Sequence, residues 1–234
     1  MYKNLLEAYS IVNTNLIESY NINYFDKFLI INLKKDEKRL QDTIKTLIKA
    51  GVDSNKIVRV GAVYDRWNGH LGCGKSHILA LEYAIKHNLN NVVILEDDFE
   101  FIEKENVNNL INLFIQNFNN WDVLDFYFSY SGILQNTHIP GIVRNKGPTT
   151  GAVCYAVNQK FYTTFLNNRK EAVKKMQEYT DNYLSNCKEN CSKIIYQSDI
   201  AIDQYQKSLQ SKYNWYAFLP KLGYLRNVAS SIMN

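Results

Sequence analysis

The sequence predicts an α/β fold, with a mostly parallel central sheet and helices on both of its faces. Three observations predict it. From Phe28 to Phe128, short aliphatic runs alternate with longer amphipathic stretches, the rhythm of successive β-α-β units. The runs Phe28–Asn32 and Val92–Leu95 are apolar at consecutive positions, as in strands covered on both sides. Finally, 234 residues with 46% hydrophobic and 21% charged side chains suffice for one large core, while 3 Pro and 10 Gly leave little for flexible linkers.

The elements follow in order. Leu5, Tyr9, Val12, Leu16 and Tyr20 have the spacing of an amphipathic helix stripe, which sets residues 1–25 apart as an N-terminal helical extension. Phe28–Asn32 reads as the first strand. Asp36 then caps a helix that carries Leu40, Ile44, Leu47 and Ile48 inward and stops at Gly51. Val58–Val63 is the second strand, Ser76–His87 the next helix, and Val92–Leu95 a third strand closing in Glu96-Asp97-Asp98. Asn108–Phe118 reads as helix and Trp121–Phe128 as a fourth strand. After Pro148 the pattern changes: Ala152–Val157 is a strand, Phe161–Tyr183 a long charged helix, and Ser198–Leu209 a further helix. The charged run from Arg169 to Lys193 is either a lid or a surface helical insertion.

A net charge of +4, without a run of five like charges, excludes a nucleic-acid-binding tail or face. No apolar stretch is long enough to span a membrane, and Glu7, Asn13 and Asn15 interrupt any signal-peptide core, so a cytoplasmic chain is expected, with peripheral membrane attachment compatible. Cys187 and Cys191 on one helix face would sit about 5–6 Å apart at Cβ, too far for a disulfide. All four cysteines are therefore expected as free thiols.

Two motifs compete for the chemistry. Gly69-His70-Leu71-Gly72-Cys73-Gly74-Lys75-Ser76 satisfies the phosphate-cradling P-loop pattern and would make the chain an NTP-binding protein or kinase. A P-loop, however, needs a buried strand running directly into the glycines, and Tyr64–Asn68 is polar and turn-like. The rival is Glu96-Asp97-Asp98. Three carboxylates at the end of a buried strand repel one another and resist desolvation, unless a hard divalent cation such as Mn²⁺ or Mg²⁺ sits among them. Side chains alternate along an extended chain, so Glu96 and Asp98 can share the metal while Asp97 faces elsewhere.

Several blocks together carry a resemblance. They are Ile31-Asn32-Leu33 with Arg39, Ala62-Val63-Tyr64-Asp65, Gly69, Gly72-Cys73 with Ser76-His77, and Leu95-Glu96-Asp97-Asp98. Thr150-Gly151-Ala152 with Tyr155, Ile202-Asp203, Pro220-x-Leu222 and Ser230-Ser231-Ile232 continue them. In this order they resemble glycosyltransferase family 25, which includes lipopolysaccharide and collagen hydroxylysine galactosyltransferases. The chain departs from that pattern at His70, where the family usually has Glu, and near Leu225, where Gln is common.

The resemblance implies a GT-A-type fold over residues 26–234, with a donor half at about 26–130 and an acceptor half at about 131–234. It implies inverting, metal-dependent transfer of a sugar, galactose or glucose favoured, from a UDP-sugar to a hydroxyl of a glycan, glycolipid or hydroxylysine. Glu96 and Asp98 are then the metal ligands, with water, phosphates or a late Asp filling the remaining places because no His follows His138. Asp203 is the expected catalytic base, with Asp199 one helical turn earlier as its alternate. Asn32, Arg39, Tyr64, Asp65, Gly72, Ser76, His77 and Asp97 are expected on the donor side. Thr150 and Tyr155 are expected on the acceptor side. The N-terminal helix could pair two copies into a homodimer or cover a sheet edge. A non-catalytic sugar-nucleotide-fold scaffold is the remaining alternative.

Overall fold

A computed structural model describes residues 19–129, 132–187, 191–194 and 199–227. Strand β1 (Lys27–Asn32) shows why the sheet is buried on both faces. Phe28 and Ile30 enter one hydrophobic cluster, and Leu29 enters another on the opposite face, all three fully buried. Burying each such side chain stabilises the fold by about 1.5–3 kcal/mol. The first face is covered by α1 (Glu37–Lys49) through Leu40 and Leu47, and by α3 (Lys104–Asn117) through Val107, Ile111 and Phe114. The second is covered by α2 (Gly69–Lys86) through Leu71, Ala80 and Leu81, and by α4 (Tyr162–Cys187) through Phe165, Ala172 and Met176. The result is three layers, helices on sheet on helices.

The remaining strands are β2 (Ile57–Gly61), β3 (Asn91–Glu96), β4 (Phe99–Phe101), β5 (Val123–Ser129), β6 (Leu134–Asn136), β7 (Ile142–Asn145), β8 (Thr150–Asn158), β9 (Trp215–Phe218) and β10 (Gly223–Leu225). Among the described residues they form one eight-stranded sheet, ordered β2-β1-β3-β8-β5-β9-β7-β6, and a separate β10-β4 pair. Six strands of the large sheet share one direction; β8 and β7 oppose them. The chain passes from β1 to β2 on one side and then returns past β1 to β3. That reversal makes the carboxyl ends of β1 and β3 the switch point, where α/β sheets open a ligand crevice. Strand β8 enters antiparallel between β3 and β5, so the two halves read from the sequence share one continuous sheet.

Helix α1 stops as expected, with Gly51 at φ +96°. Helix α2 does not start where expected. Asn68 caps it, its Oδ1 accepting from the Leu71 amide at 3.2 Å, so the helix begins seven residues before Ser76. Its glycines are there for contact. A Cβ on Gly72 would meet the Val63 carbonyl oxygen at 2.6 Å, and one on Gly74 would meet Val173 and Met176 of α4 below 3.0 Å. The P-loop reading therefore fails, because Gly69–Ser76 is the first two turns of a helix packed against its neighbours.

Other expectations are corrected further along. The helix read over Ser198–Leu209 is two short ones, α5 (Ile202–Tyr205) and α6 (Lys207–Gln210). The charged run after Arg169 belongs largely to α4, which packs on α2 through buried Ala172, Met176 and Thr180, not to a surface insertion. Cys187 and Cys191 are paired as a disulfide, with Cα atoms 5.5 Å apart. The helical spacing argument does not apply to them, because α4 ends at Cys187 and Cys191 lies beyond it. Cys73 and Cys154 are free, as expected. Leu5, Tyr9, Val12 and Leu16 of the N-terminal stripe and Ser230-Ser231-Ile232 lie outside the described residues.

Candidate active site

A cleft opens at the carboxyl ends of β1, β2 and β3, lined by Arg39, Tyr64, Asp65, Glu96, Asp97 and Asp98 together with apolar residues of β1 and the loop after β2. The acidic triplet leaves β3 in a tight turn toward β4, and alternation divides it as expected: Asp97 is buried, while Glu96 and Asp98 are partly exposed.

Asp97 is held from several directions. Asn32 Nδ2 donates to its Oδ2 at 2.6 Å, and Arg39 forms an ion pair with its Oδ1. Its backbone carbonyl accepts from the Thr43 hydroxyl at 2.8 Å and from the Arg226 guanidinium. Burial raises the Asp97 carboxyl above its ordinary value despite these partners. Asn32 itself is 1% exposed, and its Oδ1 accepts from Arg59 Nε at 3.0 Å. This side chain, expected on the donor side, is therefore committed to orienting Asp97.

Glu96 and Asp98 face the cleft. Burial, and then the charge of Asp97, push Glu96 up to about 7; burial, and then Glu96, push Asp98 up to about 6. Asp98 Oδ2 lies 3.3 Å from Arg39, and its buried Oδ1 has no hydrogen-bond partner among the described residues. A desolvated carboxylate pair with an unsatisfied oxygen fits a hard divalent cation.

The α2 side of the cleft supplies Cys73 and Ser76. Ser76 Oγ accepts from the Val63 amide at 2.9 Å and donates to the Gly72 carbonyl at 2.7 Å, so it fastens the loop after β2 to the helix. Asp65 Oδ1 likewise folds that loop, accepting from the amides of Trp67 and Asn68. Tyr64 is 54% exposed with Lys35 over its ring, and presents an open aromatic face at the mouth. Lys75, the P-loop lysine of the rejected motif, bonds Gln177 at 2.8 Å.

His77 is fully buried. Its Nδ1 is 2.7 Å from the Tyr155 hydroxyl and its Nε2 is 3.6 Å from Glu96 Oε1, so it adjoins the acidic cluster without a hydrogen bond to it. Burial, and then Arg169, lower its pKa to about 3, so the ring is neutral. Cys73 Sγ lies 3.8 Å from the same Glu96 oxygen; burial, and then Glu96, push the thiol up.

Asp203, at the start of α5, belongs to this neighbourhood: its charge acts on Cys73, His77 and Glu96. Its Oδ2 accepts from the Gly151 amide at 3.2 Å. Buried Arg169 holds α5 in place by donating to the Ile202 carbonyl at 2.5 Å and to Gln206 at 2.6 Å. Asp199 is exposed and precedes the helix, so it does not share a helix face with Asp203. Tyr155 is 2% exposed in the middle of β8 and does not form an acceptor wall; Thr150 is half-buried at the start of that strand. Sequence reasoning missed Arg226, which β10 delivers onto the triplet, and Arg169. Neither carries a spacing signal, since their partners are 129 and 33 residues away.

The family model for glycosyltransferase family 25, described as an LPS biosynthesis protein, matches residues 67–184, half of the chain. The chain belongs to this family. The match contains Cys73, His77 and the acidic triplet, and leaves Asn32, Arg39, Asp203 and Arg226 outside. No curated protein of similar sequence was found. Solved structures with a distant likeness include a mannose-1-phosphate geranyltransferase from Thermus thermophilus, at 10% identity over 82% of this chain and 72% of that one, TM-score 0.43. A glycosyltransferase involved in the glycosylation of the major capsid of PBCV-1 gives 7% identity over 82% and 92%, TM-score 0.42. A UDP-glucose pyrophosphorylase complexed with UDP-glucose gives 10% over 83% and 90%, TM-score 0.45.

Proposed function

We propose that this chain transfers a hexose, galactose or glucose, from a UDP-sugar to a hydroxyl of a glycan, glycolipid or protein acceptor, with inversion and with a divalent cation. The observation that carries the reading is the division of labour in the acidic triplet. Asp97 is immobilised by Asn32 and Arg39, while Glu96 and Asp98 are left in the cleft with an unsatisfied carboxylate oxygen.

Glu96 and Asp98 are the residues suited to hold Mn²⁺ or Mg²⁺, which when bound offsets the negative charge that develops on a departing diphosphate. The chain's own groups do the rest. Tyr64 offers its exposed ring to the base, with Asp65 fixing the loop that carries it. Arg39, already touching Asp97 and Asp98, keeps the triplet oriented and adds positive charge beside the donor pocket. Asp203 takes the proton of the acceptor hydroxyl, and the Gly151 amide holds its carboxylate in one orientation.

The test is UDP release and sugar transfer from UDP-galactose and UDP-glucose with Mn²⁺, comparing wild type with Asp203→Asn. The substitution keeps an acceptor for the Gly151 amide. It is expected to lower kcat by about 10²–10⁴-fold with donor affinity unchanged. Unaltered turnover in the variant contradicts the assignment of the base.

A further inference from the structure

We propose that Cys73, His77 and Glu96 form a second cation site, which takes a thiolate-seeking divalent ion of the zinc class and shares Glu96 with the hard-ion pair. Cys73 and His77 are four residues apart on α2 and therefore share a helix face, which is turned to the end of β3 where Glu96 sits. Their ligand atoms and a Glu96 oxygen all lie within 4.8 Å of one another. Cys73 Sγ to Glu96 Oε1 is 3.8 Å, and His77 Nε2 to the same oxygen is 3.6 Å. Tetrahedral zinc, with bonds of about 2.0–2.3 Å, places its ligand atoms about 3.3–3.8 Å apart. Both contacts to Glu96 already have that size and the third pair lies within 4.8 Å, and the ligands stand on a helix and a strand, not on loops.

His77 gives the independent pointer. Its Nε2 is fully buried, has no hydrogen-bond partner among the described residues, and is aimed into the group. On the other side of the ring, Nδ1 meets the Tyr155 hydroxyl at 2.7 Å. In the tautomer with the ring proton on Nδ1, donated to the Tyr155 oxygen, the Nε2 lone pair faces the ion, and the outer contact holds the ring orientation. Access exists, because Cys73 and Glu96 both line the cleft. A sulfur and an imidazole nitrogen select zinc-class ions over Mn²⁺ and Mg²⁺, which favour oxygen. Binding converts the Cys73 thiol to thiolate, with the proton released to solvent.

The site has a consequence that rests on the proposed hard-ion pair: an ion on Cys73 and His77 draws Glu96 away from Asp98, so zinc opposes Mn²⁺-supported donor binding. The site itself does not depend on that reading.

Cobalt titration of the metal-free full chain, without reductant, tests it. A sulfur-to-cobalt charge-transfer band is expected at one equivalent in wild type, absent from Cys73→Ser and retained in Asp98→Asn. Zinc displaces the cobalt, and Tyr155→Phe weakens zinc by about 10-fold or more. In wild type alone, zinc protects Cys73 from iodoacetamide, read by peptide mass spectrometry, so the test survives a variant that does not fold. The proposal is overturned by no thiolate band in wild type, by a band unchanged in Cys73→Ser, or by equal alkylation of Cys73 with and without zinc. A retained band beside metal-independent UDP binding would remove the hard-ion reading and leave the zinc site standing.

Discussion

Asn32 carries no charge, yet it decides which way the acidic triplet faces. Its amide holds Asp97 and its carbonyl oxygen takes Arg59, so truncation leaves buried groups on both sides without a partner. Asn32→Ala is expected to cost about 1–3 kcal/mol in urea unfolding, and also to weaken donor binding, since Asp97 no longer has a fixed position. Asp125 on β5 makes a different case. It is 2% exposed, accepts from Trp215 Nε1 at 2.7 Å and Asn145 Nδ2 at 3.0 Å, and burial pushes its pKa from 3.8 up to about 7. The folded state therefore holds a proton that the unfolded chain has lost between about pH 4 and about pH 7, and Asp125's contribution to stability declines as pH rises through that window. Asp125→Asn, neutral throughout, should melt increasingly above wild type as pH is raised across the same interval. A difference in Tm that stays constant with pH would contradict this. The placement of Glu96 and Asp98 toward the cleft, with Asp97 buried, was legible because alternation acts along a few consecutive residues. The commitments of Asn32, Ser76 and Tyr155 were not, because their partners are set by tertiary packing.

Helix α2 is the element on which the competing sequence motifs collided. Three glycines within six residues look like a phosphate loop, and each costs a helix about 1 kcal/mol relative to alanine. The fold accepts that cost because Gly72 lets the helix approach the Val63 carbonyl and Gly74 lets it approach α4. Gly72→Ala must push the helix from the loop after β2. Overpacking of this kind costs about 1–3 kcal/mol, and donor binding is expected to fall with it, since Tyr64 and Asp65 ride on that loop. Lys75→Ala should largely preserve nucleotide affinity in equilibrium titration, because Lys75 does not line the cleft: it bonds Gln177 of α4 at 2.8 Å and reaches a cleft residue only through Asp65, at 3.9 Å. A large loss there would restore the phosphate-loop reading. Apart from β4, the strands and helices up to β5 were readable from periodicity, most of them to within a few residues. Strands β4, β6, β7, β9 and β10 were not, being at most four residues long. Too short to show a period, they are fixed by their partners: β4 by β10, and β9 by β5 and β7.

For the whole molecule, a sheet whose strand order reverses at β1, with β2 added on one side and β3 on the other, supplies the cleft, and later segments close around it. Arg226 after β10 and Asp203 on α5 reach the same few residues from the C-terminal part of the chain. No described helix is long and apolar enough to cross a membrane. The Cys187–Cys191 disulfide overturns the expectation that all four cysteines are free thiols. Periodicity could not show which strand joins the two halves of the sheet, because the insertion of β8 between β3 and β5 is a long-range pairing without a local signature. The claim on which the functional account depends is that Glu96 and Asp98 bind the donor's diphosphate through a divalent ion. Isothermal titration of UDP into wild type and Asp98→Asn, each with Mn²⁺ and with chelator, measures it most directly. The account predicts tight binding only in wild type with Mn²⁺, and a weak, metal-indifferent signal in the other three titrations. Equal UDP affinity in all four would contradict it.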